Sequence, residues 1–264
     1  MADLEPISNS VRLALSAGSL AVWMSILWNA GRGRAPLAGA PREPVSWQAL
    51  PVFATFLVAL VVPEFVLRLR GPVDRFSLEA VQGHTLAMAL QGLAVVSVLR
   101  IAGPLRRQDF GWNPASWRGD LAVGAAGFLT SLIPVSLVND WVEKLGLRGE
   151  GVKHVFFKIL DTNSDGSILF WIALSVVVLA PLAEELTYRV LLQGWCQSHF
   201  SPWMAIPFSA VIFSLVHQSP DCFPLFPLSL ILGYVYYRRR SYLAVVVIHS
   251  LFNATNLAFA VLTK

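Results

Sequence analysis

Two adjacent carboxylates, Glu184 and Glu185, stand at the end of an apolar run, residues 168–182, that could cross a lipid bilayer. Arg189 follows four residues after the second carboxylate. Charged side chains are costly and rare inside a membrane, so a pair of this kind predicts a functional site by default. The fold must shelter these charges, and their partners must come from elsewhere in the chain. The candidate partners are His217 and His249.

Composition places the whole chain among membrane proteins. Of its 264 residues, 55% are hydrophobic and 14% are charged, and the mean hydropathy is +0.60. These values are too apolar for an ordinary soluble domain and are typical of helical proteins with several membrane spans. The net charge of +4 does not indicate a nucleic-acid partner, because the arginines stand at the ends of apolar runs, where they serve as membrane anchors and topology signals.

The apolar runs predict the number of spans. A helix needs about 20 mostly apolar residues to cross the hydrocarbon core. We therefore predict an all-α fold, a polytopic helical membrane bundle of about eight transmembrane helices. The expected spans cover approximately residues 11–28, 47–69, 84–102, 121–138, 167–197, 202–217, 225–237 and 242–262.

The polar residues that are candidates for function lie almost entirely in the last four predicted helices. We therefore predict two regions in the chain. Residues 1–166 would hold N-terminal transmembrane helices, loops and a short interfacial helix at about 151–160, and residues 167–262 would form the functional core. The segment 161–166 resembles the first half of a calcium-binding loop, but Ile172 stands where the bidentate glutamate belongs, so we expect a helix cap and turn. Pro181 removes one backbone hydrogen bond and should kink its helix beside the glutamates.

Helical spacing divides the roles of the two glutamates. Side chains four residues apart share a face of a helix, so Glu185 and Arg189 are expected to form an ion pair that neutralises one carboxylate. Glu184 lies about 100 degrees round the helix and would face a different neighbour. Glu184 is therefore the chemical candidate, and the Glu185–Arg189 pair is expected to support the site structurally.

The same spacing places His217 on a face with Phe213, and Asn253 on a face with His249. Together with Glu184, these side chains supply the parts of a hydrolase. A carboxylate shielded from bulk water can accept a proton from water, a histidine can share that water, and a His–Asn pair can donate hydrogen bonds to an oxyanion. The chain has no Gly-x-Ser-x-Gly or His-Glu-x-x-His motif. The pattern favours water-mediated amide hydrolysis.

Three motifs in order resemble a known family. They are Glu184-Glu185-x-x-x-Arg189, Phe213-x-x-x-His217 and His249-x-x-x-Asn253. Over about residues 167–262 the chain is similar to the CAAX prenyl protease and bacteriocin-processing (CPBP, or Abi) family of intramembrane endopeptidases. The resemblance implies a helical bundle with a cavity below the membrane surface. It also implies that Glu184 and His217 activate water while His249 and Asn253 stabilise the oxyanion.

The resemblance also bears on cofactors, partners and location. Family members have been described both as glutamate-dependent proteases and as metalloproteases. We favour chemistry without a cofactor; the alternative is zinc bound by Glu184, His217 and His249. The expected partners are the lipid bilayer and a membrane-associated protein or peptide substrate. The expected location is a bacterial inner or plasma membrane, where prenylated CAAX substrates are not expected, so the substrate stays unassigned.

Three other interpretations of the sequence are alternatives to a protease. A non-catalytic bacteriocin-immunity or scaffold protein could keep the same fold and motifs. A transporter could use helices broken by proline, as at residues 63, 181, 207 and 227, although the polar residues cluster in one half and no paired interruption of two repeats is visible. In the third interpretation, residues 184–189 have only a structural role and hold helices together. Substitution of Glu184 separates these readings, because only a protease would lose cleavage while staying folded.

Overall fold

A computed structural model describes residues 5–40, 44–69, 74, 77–102, 106–147, 159, 166–217 and 219–262. These residues form helices and connecting turns, with no β-strand among them. Eight long helices occur near the eight predicted positions. They are α1 (Glu5–Gly31), α2 (Ala49–Leu69), α3 (Leu78–Ala102), α4 (Trp117–Lys144), α5 (Gly166–His199), α6 (Pro202–Leu215), α7 (Cys222–Arg239) and α8 (Tyr242–Leu262).

Six of these helices are long and apolar enough to cross a membrane, namely α1 to α5 and α8. Of the other two, α6 has 14 residues, fewer than a full span requires. Helix α7 has 18 residues and carries two arginines in its last turn. The prediction of a polytopic helical membrane bundle is therefore confirmed, and the protein is a multi-pass integral membrane protein. The predicted interfacial helix at 151–160 and the calcium-like loop lie outside the described residues, apart from Ile159 and Gly166.

Helix α5 carries the two glutamates and is continuous over 34 residues, as predicted. Its backbone is not uniform, because two π-helical segments, Leu174–Leu179 and Leu186–Gln193, interrupt the α-helical pattern. Pro181 lies in the short α-helical stretch between them, Ala180–Glu185. Wider turns of this kind occur often at functional sites, because they alter the direction of side chains without ending the helix. The glutamates therefore lie in the short α-helical stretch between two irregular segments of the longest described helix.

Helix α8 lies close to α4 because α4 has glycines at the contact. A β-carbon on Gly124 would lie 2.6 Å from Val247 Cγ1, and one on Gly127 would lie 2.5 Å from Ile248 Cδ1. Small residues let membrane helices approach closely. Ile248 is fully buried in the main apolar core, next to His249. This packing fixes the position of α8 and of the histidine that it carries.

Candidate active site

The centre of the site is an ion pair in the bundle interior. Glu185 and Arg189 are both fully buried, and Arg189 Nε donates a hydrogen bond of 2.9 Å to Glu185 Oε2. The remaining guanidinium nitrogens donate to Ser209 Oγ on α6 at 3.4 Å and to Ser229 Oγ on α7 at 2.9 Å. A buried charge pair is tolerated only when its other hydrogen-bonding groups are also satisfied. The predicted ion pair is present, and it connects three helices.

His249 on α8 lies between the two glutamates. Its Nδ1 is 2.8 Å from Glu185 Oε1, and its Nε2 is 3.8 Å from Glu184 Oε2. Because Glu185 is ion-paired with Arg189, its carboxylate only accepts hydrogen bonds, so His249 Nδ1 carries the hydrogen and donates it. The side chain of Glu184 is 20% exposed, whereas that of Glu185 is fully buried. Glu184 is therefore the partly exposed carboxylate of the pair.

The Phe213 ring on α6 is the apolar centre around which the other groups pack. Tyr188 and His249 meet it edge to face, with ring centroids 5.2 and 5.8 Å away. Arg189 Cζ lies 4.9 Å from the ring centroid, a cation–π contact. The ring of His217 is also in contact, at 4.8 Å between centroids. Phe213, the first residue of the Phe-x-x-x-His motif, thus contacts both histidines.

His217 lies just beyond the end of α6 and is half-buried. Its Nδ1 is 2.7 Å from the Phe213 carbonyl oxygen. A carbonyl only accepts hydrogen bonds, so Nδ1 carries the hydrogen and the neutral ring keeps a lone pair on Nε2. In the described part of the chain, the ion-pair contacts of both glutamates are to Arg189 and His249. His217 contacts the Phe213 ring, which in turn contacts His249 and Arg189.

Asn253 on α8 is directed toward the backbone of α5. Its Nδ2 donates a hydrogen bond of 2.9 Å to the carbonyl oxygen of Val176, in the first π-helical segment. A carboxamide nitrogen carries two hydrogens, so this bond leaves one for another acceptor. Asn253 is half-buried and lies one helical turn beyond His249.

The alternative zinc site does not match this arrangement. Among the residues that the structure describes, no three His, Cys, Asp or Glu side chains are grouped so that they could hold a metal ion. Glu184 Oε2 and His249 Nε2 are 3.8 Å apart, whereas the contacts of His217 are with Phe213. The described side chains therefore supply two ligands of the zinc set at one place, and a protein zinc site uses at least three.

Three further side chains contribute to the site and were not predicted. Ser209 and Ser229 accept hydrogen bonds from Arg189, and Tyr242 Oη donates a hydrogen bond of 2.6 Å to the carbonyl oxygen of Leu182. Serines within apolar helices are common and indicate no partner by themselves. Tyr242 precedes His249 by seven residues, two helical turns, so it lies on the same face. That spacing is the feature of the sequence that indicates a position for Tyr242 on the side of α8 that faces the site.

Part of the chain matches the model of a known protein family. Residues 166–255 match a family model described as "Type II CAAX prenyl endopeptidase Rce1-like". The matched span begins at the first residue of α5 and includes every residue of the three motifs. The resemblance inferred from those motifs is thereby confirmed. No curated protein and no solved structure matches the chain.

Removing the cation from the buried pair should destabilise the whole bundle. In Arg189→Met, the carboxylate of Glu185 would stay buried without its counter-charge, and we expect the free energy of unfolding to fall by about 3–5 kcal/mol. The measurement is chemical unfolding of the purified protein in lipid nanodiscs. Arg100→Met is the matched control, because Arg100 is exposed in the last turn of α3. An equal, small effect of both substitutions would contradict the structural role assigned to the pair.

Proposed function

We propose that the protein is an intramembrane endopeptidase, because residues 166–255 match the family model of the Rce1-like type II CAAX prenyl endopeptidases. It hydrolyses a peptide bond of a membrane-associated protein or peptide. The observation that carries this proposal is the position of His249 between a buried, ion-paired glutamate and a second, partly exposed glutamate. A cluster that served only to hold helices together would not require the second glutamate.

Glu184 is the general base in this proposal. It takes a proton from a water molecule, and the water oxygen attacks the carbonyl carbon of the scissile peptide bond. The lone pair of His217 Nε2 accepts a hydrogen bond from the same water. When the tetrahedral intermediate breaks down, the C–N bond is cleaved and Glu184 returns the proton to the leaving amine. Glu184 therefore ends the cycle as a carboxylate, ready for the next water molecule.

His249 and Asn253 stabilise the oxyanion in this scheme. The hydrogen on His249 Nδ1 is bound to Glu185, so Nε2 donates to the oxyanion when the ring carries a hydrogen on both nitrogens. The carboxylate of Glu184 balances the charge of such a ring before the reaction, and the oxyanion balances it once Glu184 has taken the proton from water. Asn253 contributes the amide hydrogen that does not bond to Val176. Donors held in place before the reaction stabilise the developing negative charge without reorganisation, which is the main source of catalysis in acyl transfer.

Replacing Glu184 by glutamine should abolish proteolysis without unfolding the protein. Glutamine is nearly isosteric but cannot accept the proton, so we expect the rate of cleavage to fall at least a hundredfold, roughly the lower bound for loss of a general base. The measurement is a mass-spectrometric comparison of the termini of membrane proteins in cells that make each variant at equal levels. New termini should appear with the native chain and disappear with Glu184→Gln. They would also identify the substrate.

Glu64→Gln is the matched control for this comparison. Glu64 is a glutamate in membrane-spanning helix α2, and it is exposed. Cells making this variant should show the same new termini as cells making the native chain. If the termini of native and Glu184→Gln cells do not differ while the variant is well folded, the protein is not a Glu184-dependent protease. A non-catalytic immunity or scaffold role would then be favoured.

Chelation distinguishes the cofactor-free mechanism from the zinc alternative. We expect the purified protein to cleave the identified substrate at an unchanged rate after exhaustive treatment with EDTA, because the proposed steps use only protein side chains and water. Metal analysis of the treated sample is the control for complete removal. A loss of cleavage that added zinc restores would instead favour Glu184, His217 and His249 as metal ligands.

A further inference from the structure

Pro181 leaves one backbone carbonyl of α5 without its usual donor. At the end of the first π-helical segment, the N–H of Ala180 bonds to the carbonyl oxygen of Ser175, five residues earlier. Continuing this pattern by one residue would pair the N–H of residue 181 with the carbonyl oxygen of Val176. Proline has no N–H, so this bond cannot form. Within a membrane, a backbone carbonyl without a donor is costly, and another group has to supply one.

Asn253 supplies the missing donor. Its Nδ2 lies 2.9 Å from the Val176 carbonyl oxygen, which is an ordinary hydrogen-bond distance. A side chain on α8 therefore replaces the backbone N–H that Pro181 lacks. This bond also restricts the rotation of the carboxamide and sets the direction of its second N–H group.

Tyr242 makes a similar contact on the other side of Pro181. Its hydroxyl donates to the carbonyl oxygen of Leu182 at 2.6 Å. The N–H of Leu186, where the second π-helical segment begins, is shared between the carbonyl oxygens of Leu182 and Ala183. A shared N–H satisfies neither acceptor fully, so the Leu182 carbonyl can take the tyrosine hydroxyl as a second donor. Leu182 precedes Glu184 by two residues.

We propose that Asn253 and Tyr242 are positioning residues that hold the backbone of α5 on both sides of Pro181 and thereby set the direction in which Glu184 and Glu185 face His249. Tyr242, His249 and Asn253 follow one another at spacings of seven and four residues, so they share one face of α8. The helix that carries His249 thus also fixes the carboxylates that His249 contacts. The effect of these bonds on catalysis rests on the proposed protease function, whereas the backbone contacts do not.

Restoring the backbone donor tests the role of Asn253. Pro181→Ala returns an N–H at position 181, which can bond to the Val176 carbonyl oxygen. Asn253→Ala should therefore reduce the rate of Glu184-dependent cleavage less in the Pro181→Ala background than in the native background. The two losses should differ by about five- to tenfold, which corresponds to one hydrogen bond. A residue that acted on the oxyanion alone would cause the same loss in both backgrounds. Equal losses would overturn the assignment of Asn253.

Amide hydrogen exchange tests the role of Tyr242 without a substrate. For the protein in lipid nanodiscs, Tyr242→Phe should raise the exchange rate of amides in residues 176–188 about tenfold, because it removes one hydrogen bond that stabilises this backbone. Tyr234→Phe is the matched control, since Tyr234 is half-buried on α7, and it should leave these rates unchanged. Unchanged exchange in Tyr242→Phe would overturn its assignment.

The two measurements separate this inference from the proposed function. If Tyr242→Phe loosens α5 but no termini depend on Glu184, the backbone contacts stand and the protease proposal fails. If the protein is a protease, Tyr242→Phe should lower kcat with little change in KM, because the hydroxyl orients the base and does not touch the substrate. A change confined to KM would contradict a positioning role.

Discussion

The buried ion pair between Glu185 and Arg189 is the constraint on which the rest of the site depends. Removing two charges from water is expensive, and their mutual attraction compensates only when every remaining donor and acceptor is satisfied. Here the additional partners come from three other helices: Ser209 on α6, Ser229 on α7 and His249 on α8. The pair therefore requires the four C-terminal helices to assemble in one arrangement. In that arrangement His249 and Glu184 are brought together.

Much of this could be predicted because it depends on local rules. The apolar runs indicate membrane helices, since their length must match the thickness of the hydrocarbon core. The spacing of four between Glu185 and Arg189 predicts their ion pair, because helix geometry alone brings the side chains together. Three ordered motifs give the resemblance to a known family, and the match over residues 166–255 confirms that resemblance. The count of eight helices follows from the same patterning, although α6 and α7 fall short of full apolar spans.

The remaining features could not be predicted, because they depend on tertiary contacts and on the hydrogen-bond pattern of one helix. Nothing in residues 174–179 or 186–193 distinguishes a π-helical segment from an α-helix before its neighbours are known. The bonds of Asn253 to Val176 and of Tyr242 to Leu182 join residues far apart in sequence. The sequence predicts that Pro181 removes a backbone hydrogen bond, but the replacement of that bond by a side chain of α8 depends on a tertiary contact. The charged residues of the site can thus be predicted from local sequence, whereas their orientation depends on contacts between distant parts of the chain.

The central claim is that Glu184 acts on water and not directly on the substrate. The most direct test is single-turnover cleavage, in water labelled with heavy oxygen, of the peptide whose new terminus depends on Glu184. A general base predicts that the new carboxyl group of the product carries the heavy oxygen and that Glu184 carries none. If Glu184 instead attacked the peptide bond as a nucleophile, it would form an anhydride with the substrate. Water would then open this anhydride at the carboxyl carbon of Glu184. Heavy oxygen in the Glu184 side chain, with an unlabelled product, would contradict the account.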